Sequence, residues 1–263
     1  MMFLQPLVYG LLALVLLLTL VRAEYDISKE LTPLGPLQVR IDYNLVMEGG
    51  PAHKNRIIRT IVYSSHLKFE RDVNAFSDGQ LVQMAFDAYN EMVEEVKHYG
   101  FSGYGKPSVM TVAAIGQEIF LASSQKGRGA FITRYPKSQA SKSLAICQIT
   151  FNNGLQAHQL TSGHANESKC GEIMAAHSFF RNNPSYETIR GLGGRIVSVD
   201  ELGGSSPLAI KEPCGTGIPN AWGCNLFVQD QGLTVIPRGT TPVPYQLNAV
   251  AGVATINQIP LCS

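Results

Sequence analysis

The 263-residue chain has little charge and no excess of either sign. Charged residues make up 16% of it, with 21 Lys and Arg against 20 Asp and Glu. The sequence therefore gives no strong electrostatic signal for a nucleic-acid partner. It also lacks a phosphate-binding loop and the Gly-x-Ser-x-Gly motif of serine hydrolases. A hydrophobic fraction of 45% excludes a disordered chain, and the length allows a medium-sized domain with a buried core.

Cysteine is scarce and its count is odd. Because disulfides use cysteines in pairs, five cysteines in an oxidising compartment leave one without a partner unless some of them do other chemistry. The compartment therefore matters to how these residues are interpreted.

The amino terminus predicts a signal peptide over residues 1–23. A largely apolar run from Val8 to Val21 precedes small residues at the positions that signal peptidase recognises, so we expect cleavage after Ala23. The alternative is a signal anchor, because the apolar stretch from Phe3 approaches the ~20 residues of a membrane-spanning helix. Cleavage would give a secreted, extracellular chain without stable membrane association. The glycosylation sequon at Asn166 fits that compartment.

The remaining sequence predicts an α/β fold, a three-layer α/β/α sandwich around a mixed sheet. Residues 24–76 are poorly periodic and are interpreted as an N-terminal extension that packs on an α/β domain over residues 77–263. Ser77-Asp78-Gly79-Gln80 has the form of a capping box and opens a periodic helix that stops at Gly100. The alternation of later elements favours helices on a sheet. They are a hairpin over 109–122, a strand over 144–151, a helix over 169–180, strands over 195–199 and 208–210, a helical turn over 225–230 and a strand over 233–236.

Two cysteine motifs carry the candidate chemistry. Cys170-Gly171-Glu172 opens a predicted helix, and Pro213-Cys214 follows a predicted strand, with Cys224 ten residues later. Three thiolates can hold a zinc ion and leave its fourth position for water, the open arrangement of catalytic sites. Glu172 is then placed to carry a proton without binding the metal.

These motifs resemble the zinc-dependent cytidine-deaminase-like superfamily, whose signature is His or Cys, a small residue, Glu, and a later Pro-Cys-x-x-Cys. The resemblance covers roughly residues 78–237 and implies zinc bound by Cys170, Cys214 and Cys224, with Glu172 as proton shuttle. It implies a divergent, toxin-like secreted hydrolase that deaminates a nucleobase in a nucleoside or nucleic acid. Because nine residues separate the second and third cysteines, the intervening segment must loop out.

A second interpretation of the cysteines stays open. Cys214 and Cys224 of a secreted chain could instead form a disulfide, giving a non-catalytic effector or binding protein that keeps the fold. If three cysteines bind zinc, Cys147 and Cys262 are left as a candidate disulfide pair.

Three residues are candidates for substrate binding, and two of them have an ordinary structural alternative. Asn152 follows a predicted strand, where the superfamily holds a ribose, but it also suits a turn. His177 lies seven residues after Cys170, on the same helix face, and could equally be a core histidine. Trp222 could stack on a base.

His164 precedes the first cysteine of the cysteine motifs, and a ligand role for it would require an irregular backbone. The sequence leaves the oligomeric state open.

Overall fold

The computed structural model describes residues 25–48, 59–101, 103–127, 129–154, 163–201, 207–218, 221–252 and 254–262. The predicted signal peptide therefore lies outside the described residues. Among those residues, no helix is both long and apolar enough to cross a bilayer.

A mixed sheet of eight strands organises the chain. Its main path runs β1-β2-β4-β3-β5-β6, with β8 paired to β2 and β7 paired to β5. The β5–β7 pair is parallel, and the other described pairs are antiparallel. The strands are β1 (Arg40–Ile41), β2 (Tyr63–Lys68), β3 (Val109–Ile115), β4 (Glu118–Ser123), β5 (Arg195–Glu201), β6 (Leu208–Lys211), β7 (Thr234–Val235) and β8 (Thr255–Asn257).

Six α-helices lie in the described residues. They are α1 (Tyr43–Met47), α2 (Asp78–His98), α3 (Gln139–Asn153), α4 (Gly171–Asn182), α5 (Cys224–Asp230) and α6 (Leu247–Ala251). The predicted capping box is confirmed at the start of α2, where Ser77 accepts from the Gln80 amide and the Gln80 side chain accepts from the Ser77 amide.

The centre of the sheet has apolar cores on both faces. Along β3, Val112 and Ala114 belong to one core cluster, whereas Ala113 and Ile115 belong to the other. This alternation follows from the two-residue period of a strand. Helix α2 packs into the first cluster, and α3, α4 and α5 pack into the second. Helices α3, α4 and α5, each of which contains or directly follows a cysteine, therefore lie on one side of the β3–β4 hairpin. The sequence predicted this hairpin.

Two sequence predictions differ from the structure. Residues 144–151 form part of helix α3 and not a strand, because Ala140, Leu144 and Cys147 recur at helical spacing and pack inward. The segment interpreted as an extension supplies strands β1 and β2, and β2 pairs directly with β4. Residues 40–41 and 63–68 are thus part of the sheet that carries the site.

Candidate metal centre

Four side chains from three separate segments meet at one point. The ligand atoms of His164, Cys170, Cys214 and Cys224 all lie within 4.8 Å of one another. The Cys170 and Cys214 sulfurs are 3.4 Å apart, and His164 Nε2 lies 3.5 Å from the Cys224 sulfur and 3.9 Å from that of Cys214. Zinc–sulfur bonds of about 2.3 Å in a tetrahedron place two sulfurs about 3.8 Å apart. The cluster therefore has the donor types and spacing of a metal site, and soft thiolates favour zinc.

Ends of secondary-structure elements position the three cysteines. Cys170 is the N-cap residue of α4, Cys214 follows β6, and Cys224 is the first residue of α5. The start of α4 lies very close to the sheet, because a Cβ on Gly171 would lie 2.3 Å from Thr111 Oγ1 and 2.9 Å from the carbonyl oxygen of Ala122. Glycine at this position lets the helix bring Cys170 and Glu172 against β3 and β4.

His164 reaches the cluster through an irregular loop. Glu167 and Ser168 have φ angles of 51° and 59°, the left-handed region that residues other than glycine seldom adopt. This turn directs the amides of Asn166 and Ser168 to His164 Nδ1, each at 3.1 Å. From the sequence, a ligand role for His164 was expected to require an irregular backbone. The structure has such a backbone at Glu167 and Ser168.

The segment between Cys214 and Cys224 packs onto this loop. The Ala165 amide donates to the Trp222 carbonyl at 2.8 Å, and the Trp222 ring meets the His164 ring edge-on with centroids 5.1 Å apart. Trp222, which lies between the last two cysteines in the sequence, therefore supports the histidine.

The three thiols differ in acidity. Hydrogen bonds from the Cys170 and Cys224 thiols, together with His164, lower the pKa of Cys214 well below its ordinary value. The hydrogen bond to Cys214 raises the pKa of Cys170, and burial raises that of Cys224. A metal binds cysteine as the thiolate, so the lowered pKa of Cys214 favours metal binding.

Glu172 lies beside the sulfurs but outside the four-residue group. It is buried, at 4% exposure, and burial raises the pKa of its carboxyl group. Its side chain is hydrogen-bonded to Ser198 and Cys224, and Ser198 in turn contacts Thr111 at 2.7 Å. A carboxyl group with a raised pKa beside a reacting group is suited to accept and release a proton.

A cavity of about 440 Å³ opens onto this group, a size in the range of small-molecule sites. Cys170, Cys214 and Glu172 are among the residues that line it, together with polar side chains that include Gln125 and Asn166. Among the described residues, neither His164 nor Cys224 lines it. The cavity therefore meets the cluster on the side of Glu172.

The other predicted site residues lie elsewhere in the described structure. Asn152 is near the end of helix α3. His177 is buried and hydrogen-bonded through Nε2 to the Leu261 carbonyl at 3.0 Å, and Trp222 is buried against His164. None of the three lines the cavity formed by the described residues. Asn166, the predicted glycosylation site, is an exposed residue of the cavity wall.

All five cysteines are free thiols in the structure. The predicted pair Cys147 and Cys262 is not joined, and neither is the alternative pair Cys214 and Cys224. The last two instead contribute sulfurs to the cluster with Cys170.

Comparison of the chain with protein-family models, with curated proteins and with solved structures finds no match in any of the three. The site is therefore interpreted from its own geometry and chemistry.

Proposed function

We propose that this protein is a secreted zinc-dependent hydrolase that deaminates a nucleobase, with a nucleoside as the favoured form of substrate. The observation that carries the proposal is the convergence of Cys170, Cys214 and Cys224 beside the buried carboxyl group of Glu172. Cys170, Cys214 and Glu172 also line a cavity. Secretion is proposed from the sequence of residues 1–23.

The order of the elements supports a deaminase-like, three-layer fold. Helix α2 is followed by the β3–β4 hairpin, the cysteine-bearing helix α4, strand β5, the second cysteine pair, helix α5 and strand β7. This is the order in the superfamily that the motifs resemble. Helix α3, placed between the hairpin and α4, and strand β6, placed before Cys214, are additions to that pattern.

The chemistry assigns one role to each group. Cys170, Cys214 and Cys224 would hold a zinc ion, whose Lewis acidity makes water a nucleophile at neutral pH. The oxygen of water adds to the ring carbon that bears the exocyclic amine. Glu172 takes a proton from that water and delivers it to the neighbouring ring nitrogen, and it then passes the second proton of the added hydroxyl group to the exocyclic amine. The carbon–nitrogen bond breaks, ammonia leaves, and the ring keeps a carbonyl group.

The cavity favours a small and uncharged substrate over a polynucleotide. Its lining combines Lys126, Lys169 and Lys211 with Glu167 and Glu212. Lys169 pairs with Glu167 at 2.6 Å, and Lys211 pairs with Asp200, so two of the three cationic side chains already have an acidic partner. A lining of mixed charge attracts a phosphate backbone weakly.

Ammonia release from zinc-loaded protein tests the reaction. The substrates are cytosine and adenine nucleosides and single-stranded oligonucleotides, and the variant is Glu172→Gln. We expect release from a nucleoside, with the rate reduced about 10²–10⁴-fold in the variant because the proton shuttle is lost. Glu94→Gln, an exposed change on α2, should keep the wild-type rate. No release from any substrate, or equal release from wild type and Glu172→Gln, would contradict the proposal.

A further inference from the structure

The His164 imidazole has an unusual pattern of contacts for a metal ligand. A histidine that binds a metal through one ring nitrogen normally donates a hydrogen bond from the other. Here His164 Nδ1 receives hydrogen bonds from two backbone amides, those of Asn166 and Ser168. A ring nitrogen accepts only when it carries no proton, so Nδ1 is the unprotonated nitrogen. The proton of the neutral ring must then be on Nε2, the atom that faces the sulfurs.

The ring orientation is fixed by the same contacts. Turning the imidazole over by 180° would place a carbon–hydrogen group against the two amides and would leave both without this acceptor. Trp222 packs on the ring and its carbonyl accepts from the Ala165 amide, which holds the loop in register. The left-handed residues Glu167 and Ser168 are what bring the second amide to Nδ1.

With the proton on Nε2, each sulfur of the cluster has its own N–H donor. The Asn166 side-chain amide donates to Cys170 at 3.6 Å, and the Cys224 backbone amide donates to Cys214 at 3.2 Å. His164 Nε2 lies 3.5 Å from the Cys224 sulfur, a suitable distance for the third. Three thiolates around a divalent cation carry one excess negative charge, and donors of this kind stabilise it.

We propose that His164 is a positioning residue that donates to the thiolates and does not bind the metal. This inference rests on the zinc centre of the proposed function. It leaves three thiolates as the protein ligands, and the fourth position is then supplied from the cavity lined by Cys170, Cys214 and Glu172. With His164 as a fourth ligand, the same cluster would be a closed structural site.

Nitrogen-15 NMR of histidine-labelled, zinc-loaded protein distinguishes the two arrangements directly. The His164 signals are those that disappear in His164→Gln. We expect a proton on Nε2 and none on Nδ1. A metal-bound Nε2 with a proton on Nδ1 would overturn the inference and leave the zinc centre standing. Protein that takes up no zinc would overturn both this inference and the proposed function.

Zinc affinity, measured by competition with a chelator, provides the second readout. His164→Ala should still bind one zinc, with affinity reduced about 10–100-fold as for other groups that orient ligands. His164→Gln, which restores an N–H donor, should recover part of that loss. The matched ligand variant Cys224→Ala should lose zinc binding. A His164→Ala protein that remains folded by circular dichroism but loses zinc as completely as Cys224→Ala would overturn the inference.

Discussion

The buried His177 should make the stability of the fold depend on pH in a defined window. Burial, together with Arg181, lowers its pKa to about 4, although its Nε2 is hydrogen-bonded to the Leu261 carbonyl. The pKa in the unfolded chain is about 6.5. Between about pH 6.5 and pH 4 the unfolded state therefore binds more protons than the folded state, and stability falls as the pH falls. The effect levels off below about pH 4.

The shift of about 2.5 pH units corresponds to about 3 kcal/mol of unfolding free energy at 1.36 kcal/mol per unit. About 2.5 kcal/mol of it should be lost between pH 7 and pH 4.5. Urea unfolding of wild type and His177→Gln, both in the same metal state, isolates this contribution because other titrating groups are common to the two proteins. Glutamine keeps a donor for the Leu261 carbonyl but does not titrate.

We expect wild type to lose about 2.5 kcal/mol more than His177→Gln over this interval. The difference between the two proteins, rather than the stability of either one, is the measured quantity. Identical pH dependence of the two unfolding free energies would refute the reasoning, because it would mean that His177 is protonated equally in the folded and unfolded states.

Three further predictions concern the site and α2. Gly223→Ala should reduce the zinc content of the purified protein, because the added Cβ would lie 2.6 Å from the Cys214 sulfur. Gly163→Ala, whose Cβ would lie in open space, should keep the wild-type zinc content. Equal zinc in the two variants would contradict this contact. Removal of the metal by a chelator under mild oxidation should produce a disulfide between Cys170 and Cys214, whose sulfurs are 3.4 Å apart. Peptide mapping that finds no Cys170–Cys214 disulfide would contradict this prediction. Ser77→Ala should lower the unfolding free energy by about 1 kcal/mol through loss of the α2 cap, and an unchanged denaturation midpoint would argue against that contribution.

Local signals in the sequence were enough to predict much of the fold. The capping box at Ser77 and the hairpin over 109–122 depend on neighbouring residues, and the structure confirms both elements. The cysteine motifs were expected to converge, and Cys170, Cys214 and Cys224 do meet. These features were predictable because short-range spacing encodes them.

Residues 144–151 of helix α3 were predicted as a strand because the exposed surface of this helix is unusually apolar. Ile146 and Ile149 are 52% and 60% exposed, so the run around them looks like a buried strand. The spacing of Ala140, Leu144 and Cys147 gives the helical face that packs inward. A count of inward positions at helical spacing over the longer segment would have favoured a helix.

The position of His164 could not be predicted from spacing. Its approach to the sulfurs depends on two left-handed residues and on the carbonyl of Trp222, which lies 58 positions away in the sequence and accepts from the Ala165 amide. Strand β2 was missed for a related reason, because its burial pattern is almost continuous and lacks the alternation of a half-exposed strand. Both features depend on partners that are distant in sequence.

The metal content of the purified protein tests the central claim most directly. We expect one zinc per chain in wild type, almost none in Cys170→Ala, and full zinc in Cys147→Ala, a buried cysteine outside the cluster. A wild-type protein without zinc, or a Cys170→Ala protein that keeps its full zinc, would contradict the account.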